Sequence, residues 1–152
     1  MYLTAYIIFI LSLIYSVYTD IKDREISLYT LLLLVATGVC INIEYYNIKD
    51  VGIQWLLNAI FVGIQYGCLM LYLELRYKEG RQIFSKWIGL GDLLFFLAIG
   101  AHYMLNEFIY VYIGSLLFSA LMFISFRTKL KTIPLAGFSA LFILMFEIYK
   151  RY

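Results

Sequence analysis

Six stretches of this chain are too long, too apolar and too poor in charge to fold in water. They run over about residues 2–18, 26–43, 51–73, 93–104, 108–126 and 133–149. Of the 152 residues, 64% are hydrophobic and 14% are charged, where soluble domains carry roughly 45–50% and ~25%. The mean hydropathy is +0.86. Such a composition specifies an integral membrane protein. Backbone polar groups inside lipid must pair within the protein, so the spanning elements are helices or closed barrels. The runs are continuous rather than alternating segments of ~10 residues, so the expected fold is all-α, with about six transmembrane helices. The length of residues 1–152 suggests a single membrane-embedded domain. The first run has no basic leader segment and no small-residue cleavage site, and reads as a retained helix, not a signal peptide.

Charge supplies the topology. The net charge of +2 is small and points to no nucleic acid partner. Lys22 and Arg24 follow the first run, Arg76, Lys78, Arg81 and Lys86 the third, and Arg127, Lys129 and Lys131 the fifth. These are nine of the twelve Lys and Arg residues, all on one side of a six-span arrangement. The positive-inside rule makes that side cytoplasmic and sets both termini outside. Tyr18, Tyr45, Trp87 and Tyr149 fall near run ends, as an interfacial aromatic belt requires. The segment at 74–86, with Ile83 and Phe84 among its basic residues, is suited to lie on anionic lipid. Cys40 and Cys68 lie inside apolar runs with no CxxC spacing and read as core residues, so neither a zinc site nor a disulfide framework is indicated. His102, the one histidine, falls at the outer end of the fourth run and reads as an interfacial or capping residue.

Two aspartates stand out on that cytoplasmic side. Asp92 follows Gly89-Leu90-Gly91 and opens the fourth run, which is short against the roughly 20 residues a bilayer needs. Glycines allow unusual backbone dihedrals and close approach of another group. The bland account is a glycine turn with Asp92 as an N-cap. Asp20 closes the first run, ahead of Ile21-Lys22-Asp23-Arg24-Glu25-Ile26. An ionisable residue at the edge of hydrocarbon is costly and marks a functional site by default. Two carboxylates that meet cannot both ionise cheaply, so the pair holds one proton. The ionised member takes a proton from water while the protonated one gives its own to a carbonyl oxygen. This chemistry needs no metal and no cofactor.

The Gly89-Leu90-Gly91-Asp92 stretch, followed by an apolar helix that ends near Gly100, resembles the second aspartate motif of type IV prepilin peptidases and archaeal preflagellin peptidases. Asp20, the alternating Lys22 and Arg24, and then Ile26 resemble their first motif. By that register Asp20, not Asp23, is the catalytic partner of Asp92. Ile133-Pro134 is similar to the family's proline at the start of its last helix. The resemblance implies catalytic Asp20 and Asp92, with Gly89, Gly91, Lys22, Arg24, Ile26 and Pro134 as motif residues. It implies an aspartic endopeptidase of the GxGD type, with no cofactor, acting in the inner membrane of a prokaryote during type IV pilus or secretion assembly. Its substrates are prepilin-like proteins, whose short basic leader is removed at the cytoplasmic face. Asp23, Glu25, Glu74 and Glu79 are placed to attract such a leader.

Two departures accompany the resemblance. Ser27-Leu28 stand where the family usually has Pro-Asn, and Gly137 stands where a second proline is common. Neither is expected to touch the carboxylates. The chain lacks the paired CxxC motifs of the bifunctional members, so peptidase activity without methyl transfer is expected. Three other readings differ in class. A non-catalytic component of a pilus or secretion system would not need both aspartates. A presenilin-like intramembrane protease shares the GxGD motif but is usually longer. A proton-coupled transporter should carry acids deep in its spans and an inverted repeat, whereas Glu147 lies near the end of the sixth run and no repeat is visible. The sequence specifies no oligomeric state.

Overall fold

The computed structural model describes residues 2–77, 89–126 and 134–151. Six helices make up these residues: α1 (Tyr2–Lys22), α2 (Leu28–Ile43), α3 (Ile48–Tyr77), α4 (Leu90–Ile99), α5 (Leu105–Phe126) and α6 (Leu135–Arg151). The all-α expectation holds, and each helix falls on one of the six apolar runs. Three of them, in α1, α3 and α5, are long and apolar enough to cross a membrane, while α2 and α4 are shorter apolar helices. The boundaries differ from expectation in both directions: α2 starts at Leu28, not 26, and α4 covers Leu90–Ile99, not 93–104, while α1 and α3 run long. The first helix continues past residue 18 to Lys22 and the third starts at Ile48, ahead of residue 51. These two helices extend beyond their apolar runs because backbone hydrogen bonding continues into water where side-chain hydropathy does not. The basic segment at 78–88, which includes Glu79, Lys86 and Trp87, and the loop at 127–133 lie outside the described residues.

The short helix is the centre of the bundle. Helices α2, α1, α6, α5 and α3 follow one another as neighbours, α3 closes back on α2, and α4 packs inside against α2, α3 and α6. Phe95, Phe96, Ala98 and Ile99 of α4 are buried. The Phe96 ring meets Tyr112 of α5 at a centroid distance of 4.6 Å. Between apolar helices in lipid, close packing and polar contacts, not water exclusion, drive association.

A ten-residue helix is ~15 Å long, so its C-terminal carbonyls stop within the bundle and need partners there. Side chains of the neighbouring helices supply them. Asn58 Nδ2 of α3 donates to the carbonyls of Gly100 and Tyr103, each at 2.8 Å. Asn42 Nδ2 of α2 donates to Ala101 and His102 at 2.9 and 3.0 Å. Trp55 Nε1 donates to Leu97 at 2.9 Å. Gly38 lets this turn approach α2, since a Cβ there would lie 2.9 Å from the Ala101 carbonyl carbon.

Two expectations are corrected. Cys40 and Cys68 are exposed rather than buried. The inner face of α2 is set by Leu31, Leu34, Thr37, Gly38 and Ile41, and Cys40 lies off that stripe. His102 is not an interfacial or capping residue. Its side chain is 6% exposed, and its ring stacks on Phe9 at 3.9 Å.

Candidate functional site

Asp20 lies in the last turn of α1 and is 7% exposed. Asp92 lies in the first turn of α4. The structure brings both to the start of α6. Pro134, fully buried, accepts the first intrahelical bond from Phe138 through its carbonyl. The amides that follow have no partner within the helix, as at every helix N-terminus. The Ala136 N–H donates to Asp92 Oδ1 at 3.0 Å, and the Gly137 N–H donates to Asp20 Oδ2 at 2.6 Å. Successive amides of one helix end therefore hold the two carboxylates. Among the described residues, neither carboxylate has another hydrogen-bond donor, which leaves Oδ1 of Asp20 and Oδ2 of Asp92 open to a further ligand.

The glycines serve a different purpose from the one their flexibility suggests. Gly89 is the N-cap of α4 with φ −69° and ψ 115°, dihedrals open to any residue. Its lack of a side chain matters because a Cβ there would lie 2.7 Å from Asp92 Oδ2. Asp92 is thus not the N-cap. It sits within the first turn and folds its carboxylate back over Gly89. Gly91 faces Ile26, whose Cδ1 would be 3.8 Å from an added Cβ, so the two sequence motifs pack together here. Gly137 is the second correction at the site. It touches a carboxylate directly through its amide, and a Cβ on it would lie 2.9 Å from Asp20 Oδ2. A proline at this position would have no N–H to donate.

Among the described residues, neither basic motif residue donates a hydrogen bond to an aspartate. Lys22 Nζ donates to Tyr18 Oη at 3.1 Å and lies over that ring. Arg24 is exposed and takes a left-handed conformation, φ 59°, as the chain turns between α1 and α2. Asp23, Glu25 and Glu74 are exposed.

Sequence reasoning missed the surroundings of Asp92. A cavity of about 300 Å³ opens beside it, lined by Gln65, Tyr66 and Leu69 of α3, Tyr112 and Leu116 of α5, and by Gly89 and Leu135. It also missed the amides of Ala136 and Gly137, although Pro134 announced a helix start with free N–H groups. Among the described residues, no three His, Cys, Asp or Glu side chains cluster as metal ligands.

The arrangement can bind water. Two carboxylates held from behind, each with one oxygen lacking a donor and with a mostly apolar cavity beside Asp92, are suited to orient a water molecule and to exchange protons with it.

The family model described as the type IV leader peptidase family matches residues 7–124. The match spans Asp20 and the Gly89–Asp92 motif and ends before Pro134. No curated protein and no solved structure matched the chain.

Proposed function

Because the chain belongs to the type IV leader peptidase family, a family of peptidases acting on prepilin-like substrates, we propose that it is an aspartic endopeptidase whose catalytic dyad is Asp20 and Asp92. It is a multi-pass membrane protein. On this reading residues 1–152 act as one membrane-embedded peptidase domain in the inner membrane. The dyad lies near the cytoplasmic face, and both termini lie outside. The substrate is a prepilin-like precursor with a short basic leader and an apolar helix, cut at their junction.

One observation carries the reading. Asp20 and Asp92 come from distant points in the sequence and accept hydrogen bonds from the adjacent amides of Gly137 and Ala136. Anchored this way, each carboxylate keeps one oxygen for chemistry. The ionised aspartate takes a proton from a water held between the pair, and the water oxygen attacks the carbonyl carbon of the scissile bond. The protonated aspartate gives its proton to the carbonyl oxygen. The resulting gem-diol then collapses. The C–N bond breaks, the departing nitrogen takes a proton from the first aspartate, and the second recovers one from the diol. The amides do not leave their places in this cycle, so the carboxylates need little reorganisation. The cavity beside Asp92 offers apolar walls for a residue next to the scissile bond, with Tyr66, Tyr112 and Gln65 as its polar members.

The test is co-expression with prepilin-like precursors, scoring leader removal by mobility. Asp20→Asn and Asp92→Asn should each accumulate in the membrane and cleave about 10²–10⁴-fold more slowly, the range typical of a lost general acid or base. Asn variants that process at the wild-type rate would eliminate the dyad. A wild type that shortens no precursor of this kind would favour a structural role in pilus or secretion assembly.

A further inference from the structure

A second polar cluster lies at the other end of the bundle, where no part of the peptidase mechanism operates. Its centre is Glu147 of α6, which is 4% exposed. Tyr6 of α1 donates its hydroxyl to Oε2 at 3.1 Å, and Tyr103, in the turn after α4, donates to Oε1 at 2.6 Å. His102 Nε2 is 3.7 Å from Oε1. A carboxylate buried among membrane helices is costly and is kept where it has a task.

We infer that Glu147 is a positioning residue that sets the register of α1, α4 and α6 and so places the two aspartates. The inference rests on the dyad reading for its consequence in catalysis, while its structural content stands apart from it. Glu147 ties together three pieces of backbone, and each carries one component of the aspartate site. Helix α1 carries Asp20 in its last turn, α4 carries Asp92 in its first turn, and the first turn of α6 carries the amides of Ala136 and Gly137. Helices α1 and α6 run antiparallel, joined by Tyr6 and Glu147 at one end and by Asp20 and Gly137 at the other. A helix is stiff, with a fixed rise of ~1.5 Å per residue. Pinning the far end therefore fixes both the slide and the rotation of the near end.

Apolar contacts alone do not fix that register, because neighbouring helices and lipid tails are equally apolar. A one-turn slip of ~5.4 Å would preserve most apolar contact and carry the Gly137 amide out of reach of Asp20. The hydroxyls of Tyr6 and Tyr103 find the Glu147 carboxylate in only one register. The turn bearing Tyr103 is itself anchored by Asn42 and Asn58, so the clasp is made to a fixed point.

Hydrogen exchange in nanodiscs tests this without any substrate. Glu147→Ala should speed exchange at Ala136 and Gly137 at least tenfold, while amides in the middle of α3 stay protected. The double variant Tyr6→Phe with Tyr103→Phe removes the same two bonds with the carboxylate in place, and should have the same local effect if Glu147→Ala fails to accumulate. Glu147→Gln keeps an acceptor for one hydroxyl and should restore part of the protection. With a cleavable precursor, kcat should fall about 10²-fold, as for a ~1 Å misplacement, with KM within about twofold. Unchanged exchange at residues 136 and 137, or a uniform rise along all helices, would overturn the inference. A wild type that cleaves nothing would remove the dyad reading and leave the exchange result to decide the clasp.

Discussion

Asp20 and Asp92 are held by two backbone amides, and the residues around them are chosen for lacking atoms. Gly89 must leave room for the Asp92 carboxylate, since a Cβ would sit 2.7 Å from Oδ2. Gly137 must leave room for Asp20 and also supply an N–H. Gly89→Ala and Gly137→Ala should therefore each reduce leader cleavage at least tenfold while the helix content measured by circular dichroism stays at the wild-type value. The displaced atom is a carboxylate oxygen that can rotate away, so the cost falls on carboxylate placement, not on folding. Wild-type cleavage by both variants would show that the oxygens tolerate displacement. Gly137→Pro should be more severe, because it also deletes the donor to Asp20.

Helix α4 ends inside the protein, and its stability depends on side chains from α2 and α3. Asn58 serves two carbonyls of the turn, at Gly100 and Tyr103. Asn58→Leu keeps the approximate volume and leaves both acceptors short of a donor. A buried acceptor without a partner costs ~1–3 kcal/mol, and polar contacts in membranes fall at the low end of such ranges. The variant should lose about 1–3 kcal/mol of stability in detergent, read as a lowered midpoint of unfolding. No shift would mean that water or another donor reaches the turn. Gly38 belongs to the same device, because the turn backbone lies where its Cβ would be.

At the scale of the molecule, five helices surround α4 among the described residues, and one end of the bundle collects the last turn of α1 and the first turns of α4 and α6. The charge distribution predicts that this end faces the cytoplasm. With Cys40→Ser and Cys68→Ser as background, a membrane-impermeant maleimide should label Glu25→Cys only in inverted vesicles and Lys49→Cys only in intact cells. Both native cysteines need replacement because both are exposed. The reverse labelling pattern would invert the topology and put the aspartates at the outer face.

The sequence by itself determined the helical membrane class, the approximate position of each helix among the described residues, and Asp20 and Asp92 as the residues to watch. Those features are local. Spanning length is set by bilayer thickness, helix starts by residues such as Pro134, and the cost of an acid near lipid by composition alone. Only the tertiary structure decided that the two carboxylates meet successive amides of α6, that Gly137 takes part, and that His102 and Glu147 are buried while the cysteines are exposed. The reason is that lipid and the interior of a helix bundle are equally apolar. A run of Leu, Ile and Phe does not mark which face turns inward. Polar contacts between distant helices settle that choice, and their partners, Asp20 with Gly137 and Tyr6 with Glu147, lie more than a hundred residues apart in the chain.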